Sequence, residues 1–506
     1  MRIAIFSFND ELSGEGSRII SAVLKQAGHD VKMIFMPFYG AQDITYWDPA
    51  LQAVADDRDV FMMSVMSCYE SRAAMVTKFL KQQYPKKLVI WGGVHATALP
   101  QGCLKFADLV IRGEAESAVL EFCRRFDAGE DWSSCPNVAY LDPSGQYVEN
   151  KLNPLPFDAD LDTHAFPDYD IEDHWVLDAG KVVKCTPELL KKYHTVYFHD
   201  VPTYFIITTR GCPFVCTYCH QSELVKTYPT REYKSRVLRY KSVQRTIEEI
   251  NHITTRFPFL THVGFSDDDF FARHLDEIRE FAPAYSKQVG KPFGAMAIAS
   301  SITEEKLQLL LDHGLKVIGI GVQSGSDRVN REVYKRYLAK EKLLKAVDLL
   351  DKYHQKYDFR VDADWIIDCP WETEDDVLDS LNFSLKLPAW MRFNIFTLTF
   401  YPGTVIYDRA LAEKIIDPSD NPYEQAFNTL RRKGHSYMTY VFLLKHRARR
   451  LTSDRMVNFL TSKPARFIGE RLPDWALNGL WGRRLFPRVA ALCHSDANIG
   501  GGTMFA

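Results

Sequence analysis

Three cysteines, Cys212, Cys216 and Cys219, fall within the eight residues "CPFVCTYC". Cysteine thiolates are soft ligands that select zinc or iron–sulfur clusters. A structural zinc site takes four protein ligands, often as two separated pairs, and here only His220 adjoins the three thiols. Three thiolates suit a cubane 4Fe-4S cluster with one iron left open to a substrate or cofactor. A zinc site and a chance grouping of buried thiols are the competing readings. The trio follows the apolar, β-branched run "TYFIITT", which places it just past the carboxyl end of a strand, where parallel barrels keep their functional residues.

The whole chain narrows the setting. Its ten cysteines, at 68, 103, 123, 135, 185, 212, 216, 219, 369 and 493, are scattered apart from this trio, unlike the dense framework of a small secreted domain. Cys68, Cys103, Cys123 and Cys135 lie on different elements and read as structural thiols, and Cys369 and Cys493 are too few for a second cluster. Against 62 Lys and Arg stand 65 Asp and Glu, so no global field points to nucleic acid. No apolar run approaches a spanning helix, and the first residues read as a strand, not a signal peptide. The expected location is the cytoplasm.

The elements that must position the cluster follow from periodicity. Residues 1–145 alternate strand-like runs ("RIAIFSF", "VKMIFMPF", "DVFMMSVMS", "KLVIWGG", "ADLVIRG") with helical patterns, which predicts an open parallel, Rossmann-like α/β domain. Such sheets bind ligands at their carboxyl ends. The loops there are rich in small and hydroxyl residues, Ser13, Gly14 and Gly16, Ser64 and Ser67, Gly92 and Gly93, then Gly113 beside Glu114. They allow close approach of a large phosphate-bearing ligand, although loops of any α/β domain share this composition. Residues 146–202 turn Pro- and Asp-rich and read as a linker. Residues 203–410 resume with six strand–helix units, a partial or full parallel barrel. Residues 411–506 lose the alternation and read as a mostly helical tail with interleaved Lys, Arg and aromatics.

At the cysteine loop the resemblance is specific. "RGCPFVCTYCH" resembles the cluster loop of radical S-adenosylmethionine (SAM) enzymes. The resemblance implies that Cys212, Cys216 and Cys219 hold a 4Fe-4S cluster and that Tyr218 packs near the adenine of SAM. "GFSDDDF" is similar to the segment meeting the SAM amino group, which implies Asp267 and Asp268, and "GIGVQSGSDRV" to the strand ending in a polar turn, with Gln323 and Ser324 facing the cofactor. In "WIIDCPWETEDD", Asp368 and Trp371 stand where that pattern has glycines. The implied chemistry is reductive cleavage of SAM to a 5′-deoxyadenosyl radical, fed by an external electron donor such as flavodoxin or ferredoxin, with the barrel orienting the reactants.

The preceding α/β domain is similar to the cobalamin-binding domains of cobalamin-dependent radical SAM enzymes, through "SFN…SGEGSRIISAVLKQAGHDV", "WGGVHATALP" and "RGEAE". The motif D-x-H-x-x-G, whose His ligates cobalt from below, is absent. Tyr69, or the nearby Cys68 and Arg72, is then the candidate to lie under the corrin, and His95 reads as a loop-structuring residue near the nucleotide tail rather than a cobalt ligand. It implies C-methylation of a small-molecule or lipid-like substrate. The alternatives are an oxidative cyclase acting on a tetrapyrrole, resembling the anaerobic magnesium-protoporphyrin ester cyclase, and a non-catalytic metal- or corrin-binding protein. The tail patch Lys445, Arg447, Arg449 and Arg450 suits either a helical lid or peripheral contact with an anionic membrane surface.

Overall fold

The computed structural model describes residues 1–9, 11–37, 49–195, 201–228, 238–417, 437–447 and 453–472. The chain divides into two compact units, residues 1–268, 283–291 and 400–425 in one and 269–282, 292–399 and 426–506 in the other.

The first unit is built on a nine-stranded sheet. Its centre is parallel: Arg2–Ser7, Asp30–Phe35, Val60–Ser64, Leu88–Gly92 and Leu109–Ile111. Helices Glu15–Gln26 and Glu70–Gln83 make crossovers between parallel strands, and Glu116–Asp127 leads from Leu109–Ile111 to the antiparallel neighbour Val138–Leu141. Both faces are covered, which is why the strands read as continuous apolar runs. Phe6, Phe61 and Trp91 fill one face and Ile5, Ile90 and Phe122 the other. Arg2–Ser7 pairs with Asp30–Phe35 on one side and Val60–Ser64 on the other. The strand order therefore reverses there, and a ligand crevice opens at such a point.

The segment 146–202, expected as a linker, is largely structured. Strands Tyr147–Glu149, His174–Asp178 and Lys181–Lys184 extend this sheet, and Pro187–His194 is a helix. These strands are three to five residues long, too short for periodicity to show between the prolines. They end the sheet on both sides with short antiparallel pairs.

All six strands of the second series are present. Thr203–Ile206 and His262–Phe265 pair in parallel within the first unit. Phe293–Ala297, Leu315–Gln323, Arg360–Ile367 and Arg392–Thr397 do so within the second. In the second unit Trp365 packs, with tilted rings, against Phe383 of helix Glu374–Ser384 and Phe442 of helix Tyr437–Arg447. That face of the sheet is the outer, helix-covered one. Side chains alternate along a strand, so Arg360, Asp362 and Asp364 take the inner face.

The described tail is helical, with Asp454–Leu460 and Lys463–Gly469 following Tyr437–Arg447. The first of the three buries Met438 and Phe442, whereas Phe459, Phe467 and Ile468 on the other two are exposed. Arg449 and Arg450 lie outside the described residues. Among the described residues no helix is long and apolar enough to cross a membrane.

Candidate functional site

The cysteine loop begins where strand Thr209–Arg210, paired with Arg239–Tyr240, ends. Gly211 turns the chain with φ +89°, a conformation glycine adopts without cost. The loop has little regular structure; a turn closes where Cys219 N–H donates to Cys216 O at 3.0 Å. Cys212 and Cys216 are buried, and Cys219 is partly exposed. Burial pushes the Cys212 thiol up, and Asp268, Cys219 and Cys216 add to that push, so all three thiols feel one another. Among the described residues no trio of His, Cys, Asp or Glu closes on one point that a single ion could fill. A cubane asks instead for thiols spaced around it, and this donor set on one loop fits that larger group.

The two carboxylates behind the loop divide their work. Asp267 is fully buried and holds the loop's base. Oδ1 accepts from the N–H groups of Thr208 and Thr209 at 2.6 and 2.8 Å, and Oδ2 from their hydroxyls at 2.5 and 3.0 Å. Asp268 accepts from Gln221 Nε2 at 2.6 Å, and burial raises its carboxyl while His220 opposes the shift. Of the two, Asp268 keeps more capacity for a further partner. Tyr218 is half-buried between Thr217 and Cys219.

The small-residue loops all lie at carboxyl ends of the first sheet, as expected. Gly14 caps the first helix with φ +44°, its imagined Cβ only 2.9 Å from Ser7 and Ser17 hydroxyls. Gly93 has φ +94°, and a Cβ there would sit 2.8 Å from the Val65 carbonyl oxygen. Gly16 is exposed with open space where a side chain would be. Ser64 and Gly92 end their strands. At Gly14 and Gly93 the chain's own atoms take up the space of a side chain, so glycine there serves the loops' packing, whereas the exposed Gly16 leaves open space that a corrin's amide-bearing edge could approach, and in that respect the sheet end fits the group. His95 is buried, with Nδ1 3.0 Å from the Ser67 hydroxyl and Nε2 3.7 Å from Glu70. These contacts tie the segment after Leu88–Gly92 to the one after Val60–Ser64. Tyr69 is half-buried against the core.

Two sequence-derived positions have other neighbours than expected. Ser13 donates to Glu11 at 2.7 Å and lines a small cavity with Glu15, Tyr169, Lys241 and Glu249, where burial pushes the Glu15 carboxyl up to about 8. Glu114 is engaged by two arginines: Arg239 binds it at 2.5 and 2.9 Å and Arg210 at 2.7 Å. Gly113 beside it has φ +67°, and a Cβ would lie 2.3 Å from the Tyr228 hydroxyl.

In the second unit, Gln323 ends its strand with φ +66°, a strained state for a non-glycine residue of the kind that collects at functional sites. Ser324, expected to face the cofactor, turns inward: its hydroxyl lies 3.1 Å from that of Ser380, and its carbonyl accepts from Asn330 at 2.6 Å. Asp368 has φ +64°, so the backbone takes the path that glycine would take there, at a residue type that tolerates it.

Sequence reasoning missed the inner-face polar row. Asp362 and Arg392 are register partners, as are Asp364 and Asn394. Arg360 donates to Asp362 at 3.0 Å and Asn394 Nδ2 to Asp364 at 2.9 Å. The alternation in "RVDADWII" carried the signal, since two aspartates on one strand face need a reason to be there.

The profile of the radical SAM superfamily matches residues 206–383, and that of the B12 binding domain matches residues 1–122. An uncharacterized methyltransferase of Pyrococcus horikoshii is 24% identical over 393 residues, 77% of this chain and 76% of that one. The anaerobic magnesium-protoporphyrin IX monomethyl ester cyclase of Rubrivivax gelatinosus is 23% identical over 452 residues, covering 81% and 72%. The structure of the radical SAM methyltransferase TsrM from Kitasatospora setae, with tryptophan substrate and a SAM analogue bound, superposes with a TM-score of 0.62. It is 13% identical and covers 82% of this chain and 76% of that one, so it shares the fold. Both cofactor modules expected from the sequence are thus present in the expected order, and the chain is a radical SAM enzyme with an N-terminal B12-binding domain.

Proposed function

We propose that this enzyme transfers a methyl group to an unactivated carbon of a small molecule. The observation that carries the proposal is the thiol loop anchored by Asp267, in a chain that also carries glycine- and serine-rich loops at the carboxyl ends of a Rossmann-like sheet. When bound, the cluster with SAM supplies one-electron cleavage to a carbon radical, and cobalamin supplies the methyl group.

The chain's own residues hold and orient. Cys212, Cys216 and Cys219 supply thiolates for the cluster. Asp267 fixes the base of their loop, leaving Asp268 to receive the polar end of SAM and Tyr218 its ring. The loops that carry Gly14, Gly16, Ser64, Ser67, Gly92 and Gly93 admit the corrin. The inner-face row Asp362, Asp364, Asn394 and Arg392 favours a substrate with hydrogen-bonding groups over a lipid chain, because an apolar ligand would take water from these polar groups and offer no hydrogen bonds in return.

The test is anaerobic turnover with SAM, hydroxocobalamin and reduced flavodoxin against a fractionated small-molecule extract. Methyl transfer releases S-adenosylhomocysteine together with 5′-deoxyadenosine, and the product gains one methylene in mass. Release of 5′-deoxyadenosine alone, with a product that has lost hydrogens, overturns methylation in favour of cyclase-type chemistry.

Asp364 gives a second expected result. Burial pushes its carboxyl up to about 7, and Asp362 adds to this while Asn394 and Arg336 oppose it. The folded pKa lies above the unfolded one. The unfolded chain therefore loses this proton near pH 4 while the folded chain keeps it to about 7, and folding is progressively disfavoured as pH rises between them. Asp364→Asn removes this cost. Urea unfolding should find the variant more stable than the parent by on the order of 2–4 kcal/mol at pH 8, and little different at pH 4. An equal difference at both pH values would contradict it.

A further inference from the structure

Arg210 immediately precedes Gly211 and Cys212, and its guanidinium is held by two glutamates of the segment Gly113–Ser117, Glu114 in the turn at 2.7 Å and Glu116 at the start of helix Glu116–Asp127. Arg239, the register partner of Arg210 on the neighbouring strand, grips both oxygens of Glu114. Two arginines and two glutamates thus form a largely buried, charge-balanced clasp. Burial works against ionisation of Glu116, but Arg210 overrides it and holds the carboxyl below its ordinary value. The glutamate loop is fixed from behind as well. Glu114 N–H donates to the Tyr228 hydroxyl at 3.1 Å, and the Asn137 amide donates to the carbonyls of Arg112 and Glu114 at 2.7 and 3.2 Å. One ion network therefore joins a loop at the carboxyl end of the first sheet to the base of the cysteine loop.

We propose that this clasp is a coupling device, through which assembly of the cluster on Cys212 prepares the Gly113–Ser117 segment for cobalamin. The proposal rests on the functional reading above and extends it to positioning residues, Arg210, Arg239 and Glu116, to which no role is otherwise given. The physical reason is order. The stretch from Gly211 to Cys219 contains little regular structure, so the group its thiols hold decides how firmly it is set. A cluster that fixes Cys212 fixes Arg210 two residues away, and Arg210 fixes both glutamates. The ordering cost of that loop is then met before cobalamin arrives, which is positive cooperativity without a new contact. Linkage makes the effect reciprocal, so cobalamin must favour cluster retention by the same factor.

The experiment compares hydroxocobalamin affinity of the full chain, anaerobically, before and after reconstitution with iron and sulfide. The expected result for the parent is binding about tenfold tighter with the cluster in place, a typical size for coupled sites. Arg210→Met should reduce that ratio to below about twofold while both cofactors still bind, Glu116→Gln should reduce it in part, and Arg210→Lys should keep part of it, since an ammonium satisfies the charge without the fork. A purely structural role would weaken both affinities and leave the ratio standing. A parent ratio near one, or an Arg210→Met variant with the parent ratio, overturns the proposal. If Arg210→Met fails to fold, Glu116→Gln decides by the same ratio. A parent that takes up no cobalamin overturns the functional reading and this inference together, whereas binding of both groups with a ratio near one overturns the coupling alone.

Discussion

Changing any one of Cys212, Cys216 or Cys219 to alanine should abolish the brown iron–sulfur absorbance of reconstituted protein and its reductive cleavage of SAM. Cys185→Ala should leave both at parent levels. The asymmetry follows from position. The three loop thiols are the soft donor set on one short segment, and a cubane that already lacks a fourth protein ligand has none to spare. Cys185 is also buried, but it follows strand Lys181–Lys184, far along the chain from the loop, and its thiol donates to the Thr186 carbonyl at 3.8 Å. Its loss removes one small buried group. Iron content per chain, absorbance near the visible shoulder and 5′-deoxyadenosine release check all four variants, and a colourless parent that takes up zinc in preference to iron would refute the assignment.

The second large effect belongs to Asp267, a residue assigned no covalent part. Its carboxylate accepts four bonds from Thr208 and Thr209 in a site closed to water. Asp267→Ala strands two backbone N–H groups there, and each unsatisfied buried donor costs about 1–3 kcal/mol, so the local loss is on the order of 3–5 kcal/mol. A loss of that size opens the strand end that carries the cysteine loop. The variant should retain less than half the parent's iron after reconstitution and be cut by protease near residue 210, while Asp267→Asn, which keeps shape and one acceptor, should fall between. Parent-level iron in Asp267→Ala would show that the loop stands without this anchor.

Much of this arrangement was legible in the chain. Long apolar runs gave all six strands of the second series to within a few residues, as with "VDADWIIDC" against Arg360–Ile367, because buried parallel strands have little else to encode. Asp368 looked out of place for a position that wants glycine, yet an aspartate can hold the same left-handed turn, so identity changed and backbone did not. The edge strands within 146–202 were hidden because strands of three to five residues among prolines leave no period to measure. The Arg210 clasp was hidden for another reason. "RGC" and "RGEAE" were both visible, but the pairing joins residues 96 positions apart, and local spacing carries no trace of it. The partner of the Ser324 hydroxyl was hidden too, because a motif names a residue without saying which way its side chain turns, and its neighbour Ser380 lies 56 positions away.

The short strands that close the first sheet have a further effect, on what the protein does in company. A wide sheet ending in a long, flat, apolar strand would present a row of unpaired amides to any neighbouring copy. Here one border is Tyr147–Glu149 and the other Lys181–Lys184, each too brief to template a ladder and each carrying charge. Lys181 and Lys184 are exposed along the second border, where a docking copy of the same chain would bring like charges together. The consequence is solubility at the moment it is needed most, when the iron-free protein is concentrated for reconstitution and has not yet gained whatever firmness its cofactors give.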